Sequence, residues 1–169
     1  DIVRFNEMIP CRTAFIDAHT PGSDQKENYT IIGAGVSESP DQHVHLSKTP
    51  GFNIGAAAQP AGCTNSLHSH RTAEVFIIHS GKWRFFWGLY GDKGEVVLDP
   101  GDVISLPTHM FRGFENITEP NESNPNGYGF MFAVLGGNDS GGGVLWAPQV
   151  IETAQAHGLV LLENGLLID

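Results

Sequence analysis

Two histidines one residue apart, His68 and His70, are followed four residues on by a carboxylate, Glu74. Imidazole and carboxylate are the nitrogen and oxygen donors that hold divalent transition metals. Two imidazoles and one carboxylate on one face of an ion leave its other positions open. That is the facial triad used by non-haem iron and related sites. In an extended strand, side chains two apart point the same way. His68, His70 and Glu74 share that parity, so the spacing predicts that all three face one interior from one ribbon. The run 75–78 reads as a buried strand continuing it, and Ser80-Gly81 as the turn that ends it.

These residues belong to a longer pattern. Residues 62–81 fit G-x5-H-x-H-x3-E-x6-G at every fixed position, through Gly62, His68, His70, Glu74 and Gly81. The pattern resembles the first motif of the cupin superfamily. A second cupin-like motif, G-x5-P-x-G-x2-H-x3-N, is matched over residues 101–116 by Gly101, Pro107 and Asn116. His109 stands where that motif has glycine, and Arg112 where it has the last metal-binding histidine. The resemblance implies an all-β fold, a double-stranded β-helix of the jelly-roll type, and a homodimer. It also implies a divalent metal (Fe, Mn, Ni or Zn) held by His68, His70 and Glu74.

Arg112 bears on that metal. A guanidinium carries donors only and stays protonated, so it cannot ligate. Aimed at a dication ~5 Å away, it would repel it by about 6–7 kcal/mol at an effective dielectric of 20. Three arrangements are open: Arg112 turns away, the metal is weakly held, or no metal binds and Arg112 pairs with Glu74. As a catalytic residue Arg112 would orient an anionic substrate through its carboxylate. His109 is either a displaced ligand or a turn residue, histidine being among the non-glycine residues enriched at positive φ.

The run 82–90 reads K-W-R-F-F-W-G-L-Y, with Trp83, Phe85, Trp87 and Leu89 on one face. Those aromatics form either the barrel core or, with Phe111 and His109, the wall of a ligand pocket. A second H-x-H, His43 and His45, lacks a carboxylate at a matching interval, so two histidines on a strand face is the simpler reading. His79 and His157 read as ordinary surface or turn histidines.

The net charge of −10, with no run of lysines or arginines, argues against nucleic acid and anionic membrane as partners. No stretch reaches the ~20 apolar residues of a membrane span. Cys11 and Cys63 lie far apart, without a C-x-x-C spacing, and read as two ordinary thiols. No leader peptide is visible, and a cytoplasmic protein is expected.

Along the chain, residues 1–41 read as an N-terminal arm with edge strands, 42–140 as the barrel, and 141–169 as a short helix and hairpin, one compact domain overall. Pro148 suits a first helical turn and Gly158 a helix stop. Asn164-Gly165 is a strong hairpin signal. Two functions follow. One is a metal-dependent oxidoreductase, dioxygenase-like, acting on a small organic acid or phenol. The other is a metal-free module that binds a small carboxylated or apolar ligand, with Arg112 paired to Glu74.

Overall fold

The computed structural model describes residues 1–169, position 141 by its backbone alone. The strands in chain order are β1 (Glu27–Ile32), β2 (Val44–Leu46), β3 (Phe52–Gln59), β4 (Thr64–Ser69), β5 (Glu74–Ser80), β6 (Trp83–Trp87) and β7 (Gly94–Leu98). They continue with β8 (Val103–Leu106), β9 (Arg112–Asn116), β10 (Gly129–Gly136) and β11 (Leu145–Trp146). The helix α1 (Pro148–Ala156) and the hairpin β12 (Val160–Leu161) and β13 (Leu167–Ile168) complete the chain.

Two sheets form the jelly roll. One has the order β2-β1-β3-β10-β5-β8, the other β11-β4-β9-β6-β7. The arm expected over residues 1–41 supplies β1, which pairs antiparallel with β3 and so belongs to the larger sheet. Gly81, between β5 and β6, has φ +84°, and a Cβ there would meet Thr118 Oγ1 at 2.6 Å and Gly129 Cα at 2.9 Å. This motif position therefore needs glycine for both backbone conformation and space.

The core lies between the sheets. Phe76 and Ile78 of β5, Trp83 and Phe85 of β6, Phe114 of β9 and Met131 of β10 pack into one buried cluster. Along β5 the burial alternates: Phe76 and Ile78 are buried, whereas Ile77 is 39% exposed. The run 75–78 is thus half-buried with period two, not buried throughout, because one face of its sheet looks outward. On that outer face Ile31, Ala56, Ala58 and Phe130 are covered partly by Val3 and Met8 of the arm.

Pro148 opens α1, and Gly158 follows it with φ +92°, as the sequence predicts. The helix lays Ala154 against Ile16 and Trp146, closing one end of the barrel with the N-terminal segment. Among the described residues no helix is long and apolar enough to cross a membrane.

Candidate metal centre

The three predicted donors come together, but not along one ribbon. Strand β4 ends at Ser69 and β5 begins at Glu74, and the two lie in different sheets. His68 stands near the end of β4, His70 just beyond it, and Glu74 is the first residue of β5. The chain crosses the barrel between them, so their convergence comes from the sandwich, not from strand parity. One potential ligand atom from each residue lies within 4.8 Å of those of the other two. All three are buried, none more than 5% exposed.

Backbone carbonyls fix the imidazoles. His68 Nδ1 lies 2.8 Å from Ser66 O and His70 Nδ1 lies 3.1 Å from Gly143 O. A carbonyl only accepts, so each Nδ1 carries the proton and each Nε2 keeps its lone pair. Such a backbone partner on the far nitrogen is what orients a ligating histidine. Burial pulls the His68 pKa well below its ordinary value, and His70 and Arg112 nearby push the same way. His68 is therefore neutral at neutral pH, the form that ligates.

Glu74 is held between two partners. Its Oε1 is 3.5 Å from His70 Nε2, and its Oε2 is 3.7 Å from Arg112 Nε. Burial raises the Glu74 pKa, with His70 and Arg112 opposing it. Burial likewise lowers that of Arg112, against the pull of Glu74. Arg112 is 0% exposed, and its Nη2 donates to Pro107 O at 3.0 Å. The cluster is only partly bonded: Glu74 Oε2, Arg112 Nε and Arg112 Nη1 have no hydrogen-bond partner among the described residues. A buried carboxylate oxygen left this way costs about 1–3 kcal/mol or more.

The donor set fits a divalent cation. Ligands bound at about 2.1 Å to one ion sit about 3.0–3.4 Å from each other in octahedral or tetrahedral geometry, close to the 3.5 Å between His70 Nε2 and Glu74 Oε1. With Arg112 always protonated, a dication beside one carboxylate leaves the buried centre with a net charge of about +2, so an anion suits the remaining positions.

A cavity of about 70 Å³, room for roughly five waters, opens beside the donors. His68, His70, Glu74, Asn65 and Gln42 line it together with Phe15, Ala57, Phe76, Phe114 and Trp146. Gln42 Oε1 is a buried acceptor without a partner among the described residues.

The predicted wall is elsewhere. Trp83 and Phe85 are 0% exposed and belong to the packed core, and neither they nor Trp87, Phe111, His109 or Arg112 border the cavity. Trp83 and Phe85 face inward with the cavity wall but lie deeper in the packed cluster, and Phe76, Phe114 and Trp146 take the lining role. His109 is exposed with φ +64°, a turn residue at the position where the second motif has glycine. His45 is used structurally: its Nδ1 bonds Thr30 O at 2.7 Å and its Nε2 accepts from Ile9 N at 3.0 Å. Cys11 and Cys63 are buried and unpaired.

No family model matches the chain, and no curated protein matches it. Solved structures do. A chain from the structures of the DMSP lyases RdDddP and RnDddQII superposes with TM-score 0.58 at 14% identity, over 80% of this chain and 60% of that one. DMSP lyase DddQ from Ruegeria pomeroyi DSS-3 gives 0.50 at 15% identity, over 68% and 48%. Rru_A2000 from Rhodospirillum rubrum, a cupin-2 domain, gives 0.54 at 10% identity, over 79% and 72%.

The fold is that of the cupin superfamily.

The chain spans about half to three fifths of the length of the two lyase chains it matches. The two cupin-like motifs now have physical roles. Asn116, 0% exposed, donates to Gln59 O at 2.7 Å and Gly127 O at 2.8 Å, tying β9 to the turns beside it. The first motif keeps its three donors, and the second keeps its structural residues while replacing the fourth donor with Arg112. Sequence reasoning missed Asn65, Gln42, Phe76, Phe114 and Trp146 as cavity residues. The sequence signal for one of them is strand parity: Phe76 stands two residues beyond Glu74 on β5.

Proposed function

We propose that this protein is a metal-dependent oxidoreductase, dioxygenase-like, acting on a small anionic substrate such as an organic acid or a phenol. The observation that carries the reading is the donor set itself. Two imidazoles have their Nδ1 protons committed to backbone carbonyls, and Glu74 has a buried oxygen without a hydrogen-bond partner beside them. His68, His70 and Glu74 would hold the ion, with positions left open. A redox-active ion such as iron or manganese supplies Lewis acidity and electron transfer there.

The remaining residues set the substrate class. Arg112 sits behind Glu74, outside the cavity wall, so it acts on the centre's charge instead of gripping the substrate. Its positive charge, added to that of the ion, favours an anionic group in the open positions. The apolar walls of Phe76, Phe114, Ala57 and Trp146 exclude water, and Gln42 Oε1 accepts a hydrogen bond from a substrate hydroxyl. The cavity volume of about 70 Å³ favours a small substrate.

Oxidation suits the cavity better than a reaction that begins by taking a proton from the substrate, which needs a base. Besides the three donors, Tyr29 is the titratable residue lining the cavity. Its hydroxyl donates to Glu27 at 3.1 Å, and burial with the Glu27 charge pushes its pKa up to about 12.

The test is metal analysis of protein purified without chelator, followed by oxygen uptake over a panel of small organic acids and phenols. We expect near-stoichiometric metal, lost in the His68→Ala/His70→Ala variant, and substrate-dependent uptake. The contact between Arg112 and Glu74 favours a second reading, the metal-free binding module. Metal-free protein that takes up neither iron, manganese nor zinc, yet binds a small carboxylate, would establish that reading in place of the first.

A further inference from the structure

Strand β4 is not regular. Asn65 and His68 both line the cavity but stand three residues apart, and a regular strand sends residues at odd separation to opposite faces. The pairing with β9 resolves this. Asn65 opposes Phe114 and His68 opposes Arg112, so three steps along β4 match two along β9. The extra residue is a β-bulge at positions 66–67, a device that re-aims side chains beside functional sites.

A bulge takes backbone groups out of the ladder, and buried groups need other partners. The Ser66 N–H donates to Asp17 Oδ2 at 3.0 Å. The Ser66 carbonyl accepts from His68 Nδ1 at 2.8 Å and from Asn65 Nδ2 at 3.4 Å. Asp17, in the 3₁₀ turn Ile16–His19, is 0% exposed, and Lys26 is 3% exposed. Lys26 Nζ donates to Asp17 Oδ1 and to Asn65 Oδ1 at 3.0 Å. An ammonium only donates, so Asn65 must turn its oxygen to Lys26 and its amide nitrogen toward His68.

His68 Nδ1 thus faces two competing neighbours. The Ser66 carbonyl requires a proton on Nδ1. The Asn65 amide nitrogen, 3.3 Å away, would donate to a bare Nδ1 and send the proton to Nε2, where it blocks ligation. The shorter contact decides, and it exists because the bulge aims that carbonyl at the ring. Buried ion pairs give weak stability for the desolvation they require, so a role in geometry accounts for this one better.

We propose that Asp17 and Lys26 are positioning residues of the metal centre: their buried pair pins the Ser66 bulge, whose carbonyl keeps His68 in the tautomer with Nε2 free to ligate. The proposal rests on the reading of His68 as a ligand.

The test reads the tautomer directly, by long-range proton–nitrogen correlation NMR of the ¹⁵N-histidine-labelled full chain without metal, assigning His68 by its loss in His68→Ala. The wild type should show the Nδ1–H form. In Asp17→Leu, which frees the Ser66 bulge while Lys26 still holds the Asn65 oxygen, the Nε2–H form should dominate, and Zn(II) affinity should fall by about ten- to a hundredfold. Asp17→Asn/Lys26→Gln, which keeps an acceptor for Ser66 N–H and a donor for Asn65, should retain the wild-type tautomer. An Asp17→Leu variant that keeps Nδ1–H overturns the proposal, and so does a wild type already in the Nε2–H form, whether or not any variant folds. Failure of the wild type to bind Zn(II) would sink the metal reading alone, because the tautomer is measured in its absence.

Discussion

Two buried polar clusters meet at Asn65 and differ in how fully they are bonded. Around Asp17 and Lys26, both carboxylate oxygens have donors and the ammonium reaches two acceptors. Around Glu74 and Arg112, a carboxylate oxygen and two guanidinium nitrogens have no hydrogen-bond partner among the described residues. Both clusters are buried. The first is closed by the fold and acts as structure. The second is held ready for something further, and the nearby imidazole donors indicate a cation. A buried charge marks a site when its bonding is incomplete; burial alone does not.

Breaking the closed cluster should give the largest effect. Lys26→Met leaves Asp17 charged and unpaired, and folding stability should fall by about 3–5 kcal/mol, read as a shift in the urea midpoint. Asp17→Leu/Lys26→Met removes both charges and should recover most of that, leaving about 1–3 kcal/mol for the unsatisfied Ser66 N–H. A double variant as unstable as the single one would mean that the pair's charges are not what matters.

Glu38 is an intermediate case. Its oxygens accept from Ile16 N at 3.0 Å and Trp146 Nε1 at 2.8 Å, both neutral donors. Burial pushes its pKa up to about 7 from 4.5, with those two donors opposing the shift. The folded protein then holds a proton that the unfolded chain has released between these pH values, so stability declines as pH rises through that window. Relative to Glu38→Gln, the wild type should lose on the order of 3 kcal/mol between about pH 4.5 and pH 7 and level off above it. Denaturant midpoints at half-unit pH steps would show this, and parallel curves for the two proteins would refute it.

The open cluster should respond more mildly. Arg112→Met removes the cation beside Glu74, but that carboxyl is already raised by burial and can take a proton. The loss should be about 2 kcal/mol, below that of Lys26→Met. Zn(II) should bind the variant at least tenfold more tightly, because the repulsion is gone. Calorimetry would check both. Weaker Zn(II) binding in the variant would show that Arg112 supports the centre instead of opposing it.

Smallest of all, Ala57→Leu should narrow the cavity at a cost near 1 kcal/mol in stability, raising KM for any small substrate while metal content stays unchanged. Equal loss of metal would place Ala57 in the support of the donors.

Much of this was legible in the chain. The spacing of Gly62, His68, His70, Glu74 and Gly81 singled out the donor residues, and through its resemblance to the cupin pattern it implied the jelly roll. Pro148, Gly158 and Asn164-Gly165 marked the helix and hairpin through local backbone preferences that need no partner. The assignment of Arg112 to a pair with Glu74 was one of three open readings, and the sequence could not choose.

The residue types of the donor set and the turns were determined by sequence, since each depends on one residue's chemistry. What only tertiary structure decided is where those atoms meet. The parity argument placed His68, His70 and Glu74 on one ribbon, whereas the centre is assembled across two sheets and through a bulge. Trp83 and Phe85 are filler, and Phe76 and Phe114 are wall, because depth between two sheets is not written in either strand. Asp17 and Lys26 bond Ser66 and Asn65, the neighbours of His68, from 49 and 39 positions away along the chain, and nothing local to either announces those contacts.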